Sequence, residues 1–161
     1  MLFRSFRAAL ATLTKGLSPL ELINAYIDWL GHLAISPGKQ LYLLQSLVIK
    51  LLQLAKLSVD SAIRQHKTNN IYHDRSFAKE EWQDWPFNLF SQAYLAVKQL
   101  ASEASHNVSG VNKDHEELVT FINTQILEAI SPANVPFTNP EIIETTKAEK
   151  GENIALGFKR L

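Results

Sequence analysis

Apolar residues along this chain recur at three- and four-residue spacing, and no strand-length run alternates apolar with polar, so the pattern predicts helices throughout. Ser18-Pro19-Leu20-Glu21 joins a capping serine, a proline at the first helical position and a glutamate able to reach back to the cap amide. Leu22, Ile23, Tyr26, Ile27, Leu30 and Leu33 then give the first helix one apolar face. Ser36-Pro37 repeats the start signal, and the proline pushes Ser36 out of the helical region, which ends that helix and opens a second over roughly 37–66.

The second helix has an unusual composition. Between Leu41 and Leu57 only Gln45, Ser46, Lys50, Gln53 and Lys56 are polar. At about 100° per residue these fall within roughly 140°, which leaves Leu43, Leu44, Leu47, Val48, Leu51, Leu52, Leu54 and Ala55 on a wide apolar side. Leu44, Leu47, Leu51 and Leu54 are the candidate interaction face. Such a side suits a central core helix, a helix–helix dimer element or a helix lying on an apolar surface, and burial in the core is the expectation. No transmembrane segment is expected, because two lysines sit mid-segment and the run falls short of about 20 apolar residues.

Further on, 67–73 is polar and aperiodic and predicts a linker. A short helix is expected around Lys79 to Trp85, stopped by Pro86, and a longer one from Phe87 to about Ser105 with Phe90, Tyr94, Val97, Leu100 and Ala101 on one face. After a loop from His106 to Asn112, a helix from about Lys113 to Ile130 carries Leu118, Phe121, Ile122, Gln125, Ile126 and Ala129. Asn134 to Asn139 reads as extended, and Thr138-Asn139-Pro140-Glu141 restarts a helix that Gly151 closes. The fold class expected is all-α: a small domain of about five to six helices joined by Pro/Asn-rich turns.

With 161 residues the chain is sized for one domain, and six Gly and six Pro are too few for a turn-rich β fold. Sixteen Lys+Arg balance sixteen Asp+Glu, so no global field attracts nucleic acid, and none is expected as a partner. The balance hides an asymmetry: residues 1–70 hold eight basic and three acidic side chains, +5, while 71–161 hold eight and thirteen, −5. This split fits an N-terminal surface meeting an anionic partner, or two halves of one fold attracting each other, the latter being preferred. Arg4 and Arg7 interrupt the apolar start, no secretory signal is read, and the cytoplasm is the default location.

Cysteine is absent, which excludes thiolate catalysis, disulfides and thiolate metal sites. Gly-x-Ser-x-Gly, phosphate-loop and dinucleotide fingerprints are missing too, so neither a catalytic residue nor a cofactor is assigned. His32, His66, His73, His106 and His115 lack the spacing of a metal site, and no metal is expected. His32 reads as a packed or partly exposed helix residue, and Glu116-Glu117 as charge favoured at a helix start. Trp82, Trp85, Phe87 and Phe90 are expected in the core rather than in a ligand cage.

Two stretches carry a resemblance. Leu17-Ser18-Pro19, Ala25-Tyr26-Ile27-Asp28-Trp29-Leu30 and His32-Leu33-Ala34-Ile35-Ser36-Pro37-Gly38-Lys39-Gln40-Leu41 resemble the N-terminal motif of bacterial polyhydroxyalkanoate (poly-3-hydroxybutyrate) synthases. Asp74-Arg75-Ser76-Phe77, Trp82, Pro86-Phe87, Gln92-Ala93-Tyr94-Leu95, Ser131-Pro132-Ala133-Asn134 and Thr138-Asn139-Pro140-Glu141 are similar to the pattern of the same enzymes' N-terminal domain. The family-motif residues are thus Asp28, Trp29, His32, Asp74, Arg75, Phe77, Trp82, Tyr94, Asn134, Asn139 and Pro140. Asp84-Trp85 departs from the family, in which asparagine commonly precedes the proline.

The resemblance implies two segments, 1–66 matching the N-terminal motif and 67–161 the N-terminal domain. It also implies that polymerisation belongs to a following α/β-hydrolase domain with a catalytic cysteine, absent from this sequence, so the chain is expected to be inactive alone: a truncated synthase, a separately encoded half or a gene fragment. The function expected is a non-catalytic module of poly-3-hydroxybutyrate biosynthesis serving dimerisation, granule attachment or positioning of the catalytic domain. Its partners would be that domain, another copy of itself or the polyester granule surface. The alternative is an independent helical adaptor with a protein partner.

Overall fold

The computed structural model describes residues 18–64, 71–149 and 151. Five α-helices follow one another among them: α1 (Pro19–Ala34), α2 (Pro37–Arg64), α3 (Phe87–Ser105), α4 (Lys113–Ala129) and α5 (Pro140–Ala148). No strand occurs among the described residues, and the all-α reading holds. Leu17, residues 65 to 70 and the segment after Gly151 lie outside the described residues, as do parts of the 37–66 helix and 67–73 linker expectations.

The start signals act as the sequence predicts. Pro19, Pro37 and Pro140 open α1, α2 and α5, where a missing amide hydrogen costs nothing. Asn139 caps α5, its Oδ1 accepting from the amides of Glu141 at 2.9 Å and Ile142 at 3.4 Å. Gly151, at φ +90°, takes the left-handed conformation beyond the end of α5, and its amide donates to the Thr146 carbonyl at 2.9 Å.

The stretch from Asp74 to Trp85 corrects the expectation of one short helix. It holds two 3-10 turns, Arg75–Phe77 and Glu80–Gln83, the first capped by Asp74 through the Ser76 amide at 2.9 Å. Asn134 to Asn139 is not extended either. The Asn134 amide donates to Ser131 at 2.8 Å and the Thr138 amide to Val135 at 3.1 Å, so the segment is a run of turns. Thr138 Oγ1 donates to the Pro132 carbonyl at 2.9 Å, and such local side-chain bonds favour turns over extended chain.

The helices gather into two compact units. One takes the described residues up to Gln45 with Leu100–Gln125; the other takes those in Ser46–Gln99 with those from Ile126 onward. In the first unit Ala25, Val108 and Val119 are buried, Tyr26 Oη donates to Asn123 Oδ1 at 2.7 Å, and Trp29 Nε1 to the Ala104 carbonyl at 2.9 Å. In the second, Phe77, Trp82 and Leu95 form the core, with Tyr72, Phe87, Tyr94 and Ala133 against it. Phe77 meets Trp82 edge to face at 4.7 Å.

Polar side chains take much of the interior. Gln92, Ser91 and Asn88 are fully buried, while Phe90 and Val97 of the predicted α3 face are exposed. Gln92 explains how this is tolerated: Oε1 accepts from the Ile71 and Tyr72 amides at 2.9 and 2.7 Å, and Nε2 donates to the Tyr72 carbonyl at 3.0 Å. The buried amide thus supplies residues 71 and 72 with the backbone hydrogen bonds that a neighbouring strand would give. In α4 it is Val119 that is buried, outside the predicted face, whereas Phe121 and Ile126 face outward. Of the aromatic quartet, Trp82 is core and Phe87 half-buried, but Trp85 is 66% exposed.

Candidate interaction surface

In α2 the expected arrangement is reversed. Lys50 is only 8% exposed and its Nζ donates to Ser46 Oγ at 2.7 Å, and Leu57 and Ser61 are buried on the same side. These positions lie within about 60° of one another at 100° per residue and fix which side of α2 faces the protein. Opposite them stand Leu41, Leu44, Val48, Leu51, Leu52 and Val59, all exposed, with Leu44 at 57% and Leu51 at 55%. The core reading of this helix is therefore overturned. The Lys50 stem, Leu57 and two serines make up the inner side through aliphatic packing and hydrogen bonds, and Leu41, Leu44, Leu51 and Leu52 are left to solvent. Of the four candidate residues, Leu44 and Leu51 project outward, Leu47 stands at the border with 37% exposure, and Leu54 is half-buried.

α1 splits its apolar residues in the same manner. Ala25 is buried and Leu22, Tyr26, Trp29 and Leu33 are half-buried, whereas Leu20, Ile23, Ile27 and Leu30 are exposed. Scattered exposed leucines need no explanation, but a whole helix side does. By length and composition alone, Pro37–Ser61 is also long and apolar enough to cross a membrane.

The motif residues do other work. At the corner between α1 and α2, Ser36 Oγ donates to the His32 carbonyl at 2.7 Å, and Gln40 Nε2 reaches back to the carbonyls of Leu33 and Ala34 at 2.9 and 2.8 Å. The Ser-Pro-Gly-Lys-Gln stretch thus satisfies the carbonyls that the end of α1 leaves open. Lys39 Nζ lies 5.1 Å over the Tyr42 ring, and both border an open hollow of about 860 Å³ with Ser102 and His106.

Asp28 gathers the first unit. Its Oδ2 accepts from His115 Nδ1 at 2.7 Å and from the Asn112 amide at 3.1 Å, and its Oδ1 lies 3.0 Å from His32 Nδ1. These bonds, His115 foremost, hold its carboxyl below the usual aspartate range. His32 is partly exposed, as expected, and its ring packs over Gly110. Glu116 does more than complement the α4 dipole, because its Oε2 accepts from the Asn107 amide at 2.8 Å.

In the second unit, Asp74 caps Ser76 and receives Lys98 Nζ at 3.4 Å, while Lys98 also meets Glu128 at 2.6 Å. The Ser76 amide bond chiefly lowers the Asp74 carboxyl, and the Glu128 bond chiefly raises the Lys98 ammonium. Arg75 is exposed, Phe77 and Trp82 are core, and Tyr94 lies 5.7 Å from Phe77, edge to face. Asn134 Nδ2 donates to the Glu128 carbonyl at 2.7 Å, Asn139 Nδ2 to that of Ala133 at 2.7 Å, and Lys79 pairs with Glu141. These residues cap, pin and fill; no group of three metal-ligating side chains occurs among the described residues.

Comparison with known proteins gives this arrangement a context. Residues 2–39 match the family model described as poly-beta-hydroxybutyrate polymerase N terminal, and 73–161 the one described as poly-beta-hydroxybutyrate polymerase (PhaC) N-terminus. A poly(3-hydroxyalkanoate) polymerase of Methylorubrum extorquens is 35% identical over 89 residues, 55% of this chain and 15% of that protein. A poly(3-hydroxyalkanoate) polymerase subunit of Rhizobium etli is 32% identical over 89 residues, 14% of its length, and one of Cupriavidus necator 29% over 90 residues, 15% of its length. The matched segment therefore spans about one seventh of these relatives, as the 14% and 15% shares state. No solved structure matches. With more than half of its residues inside one family model, the chain belongs to the poly-beta-hydroxybutyrate polymerase N-terminal family.

Proposed function

We propose that this chain is a non-catalytic docking module of a polyhydroxyalkanoate polymerase, with residues 1–66 and 67–161 as its two segments and Leu44, Leu47, Leu51 and Leu54 on or beside the docking face. Docking would serve dimerisation, granule attachment or positioning of the catalytic domain in the cytoplasm, at the polyester surface. The observation that carries this reading is the outward apolar side of α2, with Leu44 57% and Leu52 65% exposed while Lys50 is enclosed. Full burial of a leucine stabilises by about 1.5–3 kcal/mol, so half-exposed leucines leave about 1 kcal/mol each to be gained on association. The family-motif residues support the reading from the other side, because their hydrogen bonds are spent on shaping the module.

Replacing Leu44 and Leu51 by Asp tests it. Both face solvent, so the double variant should keep its helical circular dichroism and its Tm within about 3 °C, since surface changes cost little. It should lose docking, read as co-pelleting with poly-3-hydroxybutyrate particles, co-purification with a polymerase catalytic region, or self-association. Unfolding of the variant would show these leucines to be core and overturn the reading.

A further inference from the structure

The hollow of about 860 Å³ beside the start of α2 lies wholly within the first unit. Small-molecule sites span about 300–1,000 Å³, so it has room for a ligand larger than a bare ion. Its lining is rich in donors. The Lys39 ammonium rests over the Tyr42 ring at 5.1 Å, and no carboxylate among the described residues pairs with it. Glu103, the acid in the lining, already has an interaction of its own. The Ser102 and Ser109 hydroxyls and the Asn107 carboxamide line the same space and hold no hydrogen bond among the described residues. His106 Nδ1 lies 2.8 Å from the Ser102 carbonyl, which can only accept, so Nδ1 carries the hydrogen and Nε2 is uncommitted.

A cation without a counter-charge, two hydroxyls and a carboxamide suit a ligand that brings negative charge and several acceptor oxygens, as a phosphate does. A bare phosphate would leave most of the hollow unused. Beside the ammonium, the Tyr42 ring is 50% exposed and offers a flat apolar face, the kind of platform on which any nucleobase stacks. We propose that this hollow binds a nucleoside monophosphate, its phosphate on Lys39 with the Ser102 and Ser109 hydroxyls and its base against Tyr42. The site uses none of the outward leucines of α2 and does not depend on the docking reading.

Gly38, in the wall of the hollow, supplies a variant that separates binding from folding. A Cβ at Gly38 would meet nothing within 4 Å, and the first turn of α2 contains no acidic residue, so Gly38→Glu adds a carboxylate where a helix start favours one. Its Tm should equal or exceed that of wild type, while the new charge repels a phosphate. Isothermal titration of the full chain with AMP should give a Kd below about 1 mM. Gly38→Glu and Lys39→Gln should each weaken it about tenfold or more, the scale of a lost charge-assisted hydrogen bond. Adenosine, which lacks the charge, should bind about tenfold more weakly than AMP or worse. Tyr42→Leu should weaken AMP and leave ribose 5-phosphate unchanged. Adenosine binding as tightly as AMP, a Kd for AMP above about 1 mM, or a folded Gly38→Glu chain that binds AMP like wild type overturns the site. Inorganic phosphate binding as tightly as AMP overturns the nucleotide assignment. If Lys39→Gln does not fold, Gly38→Glu and the ligand series on wild type decide the matter.

Discussion

The His32 ring occupies the space that a side chain at Gly110 would need. A Cβ added there would stand 2.3 Å from His32 Cδ2, and the backbone at φ +94° already excludes most residues. Helix α1 and the loop before α4 are therefore fitted to each other by a missing side chain.

Gly110→Ala should destabilise the chain by on the order of 2 kcal/mol, from the left-handed backbone and the clash together. Thermal denaturation measures it. In the His32→Ala background the same substitution should cost less, since the clash is gone and only the backbone strain stays. An unchanged cost would show that His32 does not press on Gly110.

Gln92→Leu should cost more, about 3 kcal/mol or above, because it strands two amides and a carbonyl that Gln92 now satisfies in a buried site. Urea denaturation checks it, and Gln92→Glu, which keeps the acceptor and loses the donor, should fall between Leu and wild type.

The helices were legible from spacing and caps because those signals are local. Ser18-Pro19, Ser36-Pro37 and Asn139-Pro140 act through the next few amides, and the structure starts its helices there. Which side of a helix faces in is not local. Lys50 enters the interior because Ser46 stands one turn before it, and Asn88, Ser91 and Gln92 are buried because hydrogen bonds meet them there. Periodicity counts apolar residues and therefore placed Leu44 and Leu51 inside, although both are exposed. The Ser131 to Asn139 turns were missed for the opposite reason: Asn134 and Thr138 are turn formers whose bonds to backbone carbonyls outweigh the extended bias before Pro136.

Acid should weaken the fold through Asp28 and Asp74. Both carboxyls are held below the ordinary 3.8 in the folded chain, so the stability they add is present above that value and is lost as pH falls through the lowered one. Urea midpoints should accordingly drop between about pH 5 and about pH 2, and Asp28→Asn should show a lower midpoint at neutral pH with a shallower acid fall. A variant with the wild-type acid dependence would remove Asp28 from this account.

Purified alone, the chain should release no coenzyme A from 3-hydroxybutyryl-CoA, since it holds no cysteine on which an acyl chain could be carried. A thiol-reagent assay over hours measures this. Turnover by the isolated chain would reject the non-catalytic reading.

The three tryptophans report on separate parts of the molecule. Trp29 belongs to the unit around Asp28, with its indole nitrogen bonded to Ala104, whereas Trp82 is fully enclosed in the Phe77 core and Trp85, three residues on, stands in water. Single-tryptophan variants would therefore give three intrinsic fluorophores, with the emission of Trp82 blue-shifted and that of Trp85 close to free indole. Following Trp29 and Trp82 through one urea titration would tell whether the two compact units melt together or in succession, with no label attached.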